Sequence, residues 1–201
     1  MRFITLTSVF MLAISLMACT SGPPIHTVDS VNIERFMGDW YVIASIPTFI
    51  EKDAYNAIES YRLAEDGTVE TTFSFNKGSF EGPRKVYRPR GFITDKQSNA
   101  VWGMQFFWPF KAEYRIIYLT EDYSQTVIGR TKRDYVWIMA RTPVIPEDDY
   151  DRILDFLKDE GYDLITVTEP EAGEWTLEAD VDPDELEANR DVIVSEVPEA
   201  Q

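Results

Sequence analysis

From residue 40 onward, apolar and polar side chains alternate with a period of two, interrupted at short intervals by turn-forming clusters. That pattern predicts eight strands, at 40–46, 55–63, 69–75, 85–93, 100–107, 113–119, 126–130 and 136–141. Glu65-Asp66-Gly67, Asn76-Lys77-Gly78 and Trp108-Pro109 mark turns, as does the stretch 95–99. Short links between successive strands favour an antiparallel up-and-down order, and eight such strands can close into a barrel wide enough for one small ligand. The expected fold class is therefore all-β. One helix is expected after Pro146, which suits a first helical position, with Glu147, Asp148 and Asp149 complementing the positive end of its dipole. Tyr150, Ile153, Leu154 and Leu157 form its apolar face, and Gly161 ends it. Such a face needs a surface to cover, and the barrel wall is the candidate. Residues 162–168 read as a short ninth strand beside the first.

The N-terminus follows a different rule. Met1 and Arg2 give a minimal basic start, residues 3–16 are almost uninterruptedly apolar or small, and the run ends at Leu16-Met17-Ala18-Cys19. This is the layout of an export signal, too short to span a membrane. The four residues ending at Cys19 resemble the bacterial lipobox. The resemblance implies cleavage after residue 18, lipidation of Cys19 and membrane attachment, with Thr20 directing the product to the outer membrane of a Gram-negative bacterium, facing the periplasm. The alternative is an ordinary secretory signal that leaves a free thiol. Residues 19–30 then form a flexible leader, 31–170 the folded domain, and 171–201 an acidic tail expected to be mostly disordered, with a short helix at 183–190.

Cys19 is the only cysteine and His26 the only histidine, which excludes an intramolecular disulfide and leaves no metal site built on Cys or His. No cofactor is expected. The net charge of −16 is uneven: residues 169–201 carry twelve acidic side chains and one arginine, whereas 20–168 carry 23 acidic and 17 basic. Nucleic acid is excluded as a partner, since it needs basic surface to replace counterions. Asp180, Asp182, Asp184 and Asp191 echo a calcium loop, but Glu185 replaces the required glycine, so a solvated charge run is the expectation.

Gly38-Asp39-Trp40-Tyr41 opens the first strand, and Trp137-Ile138-Met139-Ala140-Arg141-Thr142-Pro143 closes the eighth. Leu119-Thr120-Glu121-Asp122-Tyr123 lies between them, with Thr120 in place of the usual Asp. Together these resemble the signature regions of the lipocalins, and Phe107-Trp108-Pro109-Phe110 and Asp159-Glu160-Gly161-Tyr162-Asp163 resemble the bacterial outer-membrane branch near apolipoprotein D. The resemblance implies a barrel closed at one end by Trp40, with Arg141 stacked on its indole beside Gly38, all three structural. A closed end implies a cup, and apolar walls imply a hydrophobic ligand such as a fatty acid or lysophospholipid.

If Arg141 points inward, alternation puts Met139, Trp137 and Tyr135 on the inner face. The other one-face sets are Val69, Thr71, Phe73 and Phe75; Trp102, Met104 and Phe106; and Tyr114, Ile116 and Tyr118. The candidate lumen residues are thus Glu59, Tyr61, Phe73, Phe75, Trp102, Met104, Tyr114, Ile116, Tyr118, Trp137 and Met139. These rings either line a vacant pocket or merely fill a core. Glu59 shares a face with Ala57 and Tyr61, where the family usually has a small residue; it either faces inward, with Arg88, Arg90 or Tyr61 as partner, or reaches solvent as the strand twists. An inward Glu59 would make one wall polar and favour amines or hydroxyl-rich headgroups. The leading expectation is a non-enzymatic lipid carrier, as monomer or homodimer, serving envelope maintenance. The competing ones are a lipid-modifying enzyme using Glu59 or tyrosine hydroxyls, and an adaptor acting through the acidic tail.

Overall fold

The computed structural model describes residues 24–48 and 51–168. The signal segment, Cys19, the tail, its expected helix at 183–190 and the calcium-like aspartates lie outside them. A one-turn helix α1 (Ile33–Phe36) leads into nine strands: β1 (Gly38–Ile46), β2 (Ala54–Leu63), β3 (Val69–Lys77), β4 (Arg84–Tyr87), β5 (Arg90–Ile93), β6 (Val101–Phe107), β7 (Phe110–Leu119), β8 (Gln125–Gly129) and β9 (Val136–Ala140). Helix α2 (Glu147–Asp159) and a 3₁₀ turn (Leu164–Thr166) follow.

Every pairing is antiparallel, and β2–β3 closes the sheet on itself. β4 and β5 are one barrel strand in two pieces, so the barrel is eight-stranded. The strand expected at 85–93 breaks at Arg88-Pro89 because proline cannot donate to a ladder. Both pieces still pair with β3, at Phe73↔Tyr87 and Glu70↔Arg90, while only β5 pairs with β6.

The expected ninth strand is the larger departure. Asp163 accepts a hydrogen bond from the Ile165 backbone N–H at 3.1 Å, a local side-chain bond that turns the chain away from a ladder. What remains is the 3₁₀ turn and a single bridge, Ser45 to Thr168, beside the first strand as anticipated.

Two apolar clusters organise the molecule. One fills the barrel; the other lies between its outer wall and α2, where Ile153 and Leu157 are fully buried against Ala44, Ile117, Val127 and Ile138. Each such side chain contributes about 1.5–3 kcal/mol through burial. Gly129 permits the closest approach here, since a Cβ on it would sit 2.5 Å from the Tyr162 hydroxyl and 2.8 Å from Ile117 Cδ1.

The lower end of the barrel is sealed by α1. Phe36 and Trp40 are wholly buried, and Trp40 Nε1 donates to the Phe36 carbonyl at 2.9 Å. Arg141 lies 3.7 Å over the Trp40 ring, as the signature implied. Its guanidinium also donates to the carbonyls of Arg35, Phe36, Met37 and Asp39 at 2.7–3.1 Å, satisfying oxygens that the short helix leaves exposed. Gly38 has φ +93°, in the left-handed region, and faces Arg141, so it turns the chain from α1 into β1.

Candidate ligand-binding site

The open end of the barrel is formed by the loops β1–β2, β3–β4, β6–β7 and β8–β9. Below it lies a cavity of about 520 Å³ lined by Phe73, Met104, Phe106, Phe107, Tyr114 and Trp137 on its apolar side. Glu51 and Glu59 line it too, and Glu113, Arg130, Lys132, Asp134 and Tyr135 contribute around its mouth. A volume of that size is within the range that holds a small ligand.

The cavity occupies the upper part of the barrel only. Below it, Phe36, Trp40, Tyr61, Trp102 and Tyr114 interlock, with Phe36–Trp40 centroids 5.1 Å apart, Tyr61–Trp102 5.8 Å, and Trp102–Tyr114 stacked at 5.1 Å. Aromatic packing at such distances leaves no void among the rings. The two readings left open, vacant pocket or filled core, each describe one half of the barrel.

Of the candidate lumen residues, Glu59, Phe73, Met104, Tyr114 and Trp137 line the cavity. Tyr61, Phe75, Trp102, Ile116 and Met139 belong to the buried cluster inside the barrel without lining that space. Phe75 packs on Phe73 at 5.2 Å and on Tyr87 at 6.0 Å, backing the wall. The inward placement of Tyr118 is corrected. A bulge between Ile116 and Tyr118 puts Ile116 opposite Ile128 but Tyr118 opposite Val127. One extra residue reverses the faces, and Tyr118 packs outside the barrel against Phe156 of α2 at 5.3 Å.

Glu59 faces inward and is buried, so the solvent-reaching alternative is corrected as well. Its partner is Tyr61, whose hydroxyl donates to Glu59 Oε2 and sits 2.7 Å from the Tyr114 hydroxyl. With Glu59 ionised, the chain runs Tyr114 O–H to Tyr61 oxygen, then Tyr61 O–H to carboxylate. Arg88 and Arg90 are not partners: Arg88 donates to Thr72, and Arg90 to Asp66, Thr68 and Glu70 on the outer side. Burial raises the Glu59 pKa to about 7, opposed by the Tyr61 hydrogen bond and reinforced by the charge of Glu51. Both tyrosines are held well above the ordinary phenol range by burial and by the neighbouring carboxylate.

Sequence reasoning missed Glu51. It sits in the β1–β2 loop, where no periodicity reports a facing direction. Its carboxylate accepts from the Thr48 N–H at 2.7 Å and from Trp137 Nε1 at 2.5 Å, tying the loop to β9. Burial raises its pKa, and those two donors only partly offset the effect. The signal that could have found it is an acid in a segment otherwise framed by Pro47, Thr48, Phe49 and Ile50. His26 lies outside the barrel, exposed, with Nδ1 3.4 Å from Glu160.

A family model described as "Lipocalin-like domain" matches residues 31–172. Temperature-induced lipocalin-1 of Arabidopsis thaliana is 31% identical over 72% of this chain and 81% of its own length. Outer membrane lipoprotein Blc of Citrobacter freundii is 28% identical over 86% of this chain and its whole length. Apolipoprotein D of Mus musculus is 27% identical over 73% of this chain and 79% of its own. Among solved structures, insecticyanin from Manduca sexta superposes with a TM-score of 0.61 over 76% of this chain and 86% of its own at 15% identity, which speaks to the fold alone. With its sealed base, open cup and matched signature segments, the chain belongs to the lipocalin-like family, in the branch of Blc and apolipoprotein D.

Proposed function

We propose that this lipocalin is a membrane-anchored carrier that holds one single-chain lipid, a fatty acid or lysophospholipid, in its cup for maintenance of the bacterial envelope. The observation that carries the reading is the cavity of about 520 Å³ whose walls are Phe73, Met104, Phe106, Phe107 and Trp137. Burying an alkyl chain against such walls contributes about 0.8 kcal/mol per methylene before association and ordering costs are subtracted. The net is micromolar affinity. Anchoring through a lipidated Cys19 makes that sufficient, because a tethered cup samples the leaflet at high effective concentration. The Blc relatives, named as outer membrane lipoproteins, support the same location.

Binding without turnover fits the groups that reach the lumen. Glu51, Glu59 and tyrosine hydroxyls are there, and the single histidine, His26, lies outside the barrel. Native mass spectrometry of the protein purified from its own membrane tests the proposal. The expected result is one single-chain lipid per chain together with the added mass of an acylated N-terminus at Cys19. Protein that carries no lipid and takes none up when offered would overturn it.

A further inference from the structure

Two buried carboxylates, Glu59 on β2 and Glu51 on the β1–β2 loop, line the cavity. Glu59 is 9% exposed and has Tyr61 on Oε2 as its only hydrogen-bond donor among the described residues, so Oε1 is left without one beside the cavity. Glu51, also 9% exposed, adds a second carboxylate on the same β1–β2–β9 side. Among the described residues, no cation lies on Glu59. The two that line the cavity, Arg130 and Lys132, are on the β8–β9 loop at the mouth, and Arg130 is engaged by Asp134 at 3.6 Å and by the Tyr135 ring at 4.9 Å. A buried carboxylate with a spare oxygen, no counter-ion and a vacant space in front of it is costly to a fold. It is also what a pocket for a donor group requires.

We infer that the floor of the cup, Glu59 with Glu51 above it, is a recognition site for the ammonium group of a single-chain amphiphile, which enters head first and leaves its alkyl chain along Phe73, Met104 and Trp137. This rests on the carrier reading and deepens it by naming the headgroup. An ammonium supplies the missing donor to Glu59 Oε1 and a charge opposite to both acids. A carboxylate at the same place would bring a third negative group to a site with no cation. An uncharged hydroxyl ranks between the two.

Because burial lifts the Glu59 pKa to about 7, ammonium binding is coupled to proton release. The groups facing it are Glu51 on the β1–β2 loop, Tyr61 on β2 and Tyr114 on β7, with Glu113, Arg130, Lys132, Asp134 and Tyr135 toward the mouth. Tyr61 and Tyr114 are held well above the phenol range and stay neutral, whereas burial raises both Glu59 and Glu51, so these two acids set the pH dependence. Only the ionised fraction binds ammonium well, and that fraction grows about thirtyfold between pH 5.5 and pH 8 for a group titrating at 7.

The test compares dodecylamine, dodecanol and dodecanoic acid, matched in chain length, titrated calorimetrically into the delipidated full chain at pH 5.5 and pH 8. Dodecylamine is expected to bind at least tenfold tighter than dodecanoic acid at pH 8, with its own affinity falling at least fivefold at pH 5.5. Glu59→Gln keeps the acceptor for Tyr61 and removes the charge, and is expected to collapse the preference to within threefold. Equal or reversed preference, or a preference that survives Glu59→Gln, overturns the inference and leaves the carrier reading standing. Failure of all three ligands to bind overturns both. If Glu59→Gln does not fold, the wild-type pH pair decides: affinity for dodecylamine that is flat or falls as pH rises overturns the inference.

Discussion

Replacing Glu59 by Gln should make the protein more stable at pH 8 and leave it nearly unchanged at pH 4.5. The folded state holds the Glu59 proton to about pH 7, against 4.5 for an unburied glutamate. Between those values the folded chain carries more protons than the unfolded one, so stability falls as pH rises. The contribution is fully present below the unfolded pKa and lost once the pH passes the folded one. A difference of about 2.5 pH units corresponds to roughly 3 kcal/mol at pH 8. Glutamine accepts the Tyr61 hydroxyl as the carboxylate does but never ionises, so the variant escapes the loss. The assay is urea denaturation of both proteins at pH 4.5, 6 and 8, with the difference taken at each pH. Taking differences matters because Asp66, Asp95 and Asp122 are stabilised as anions by hydrogen bonds and pull the wild-type curve the other way. In thermal melts the same gap is about 6–12 °C at pH 8 for a domain of this size. A gap independent of pH, or a variant less stable at pH 8, would refute the reasoning by showing that the carboxylate has a cation or free access to water.

Arg141→Leu should cost about 2–4 kcal/mol in urea denaturation, since it removes the stack on Trp40 and the donors to four carbonyls; Arg141→Lys should recover less than half, because one ammonium cannot reproduce the planar fork. Gly129→Ala should cost about 1–3 kcal/mol through the approach to Tyr162 and Ile117, and adding Tyr162→Phe should return part of it in the same melts. Met104→Trp should fill the cavity from its wall and weaken binding of a lysophospholipid at least tenfold, while the melting temperature moves by only a few degrees.

Strand positions and most inward faces were legible because a buried face imposes a strict alternation. Val69, Thr71 and Phe73 alternate in sequence and lie together in the structure. Alternation fails where one residue is inserted without a glycine or proline to mark it, which is how Tyr118 left the lumen. It also says nothing about volume. That five rings close the lower half depends on Phe36 reaching in from α1 and on ring-to-ring geometry that no spacing encodes. Sharing a face with Ala57 and Tyr61 left Glu59 either inward or turned to solvent, and burial in the structure decides for inward; its suggested partners Arg88 and Arg90 point outward, because Pro89 breaks that strand and the outer side offers Thr72, Asp66 and Glu70. Glu51 was out of reach for a simpler reason: a loop residue acquires its direction from tertiary contacts, here Thr48 and Trp137.

The central claim is that an alkyl chain occupies the cup, one per protein, against Trp137. Titrating the delipidated full chain with a lysophospholipid brominated along its acyl chain measures this directly, since bromine quenches only an indole it touches. The account predicts quenching that saturates at one lipid per chain and loses its saturable part in Trp137→Phe. Quenching that rises without saturation, or that is unchanged by Trp137→Phe, would contradict it.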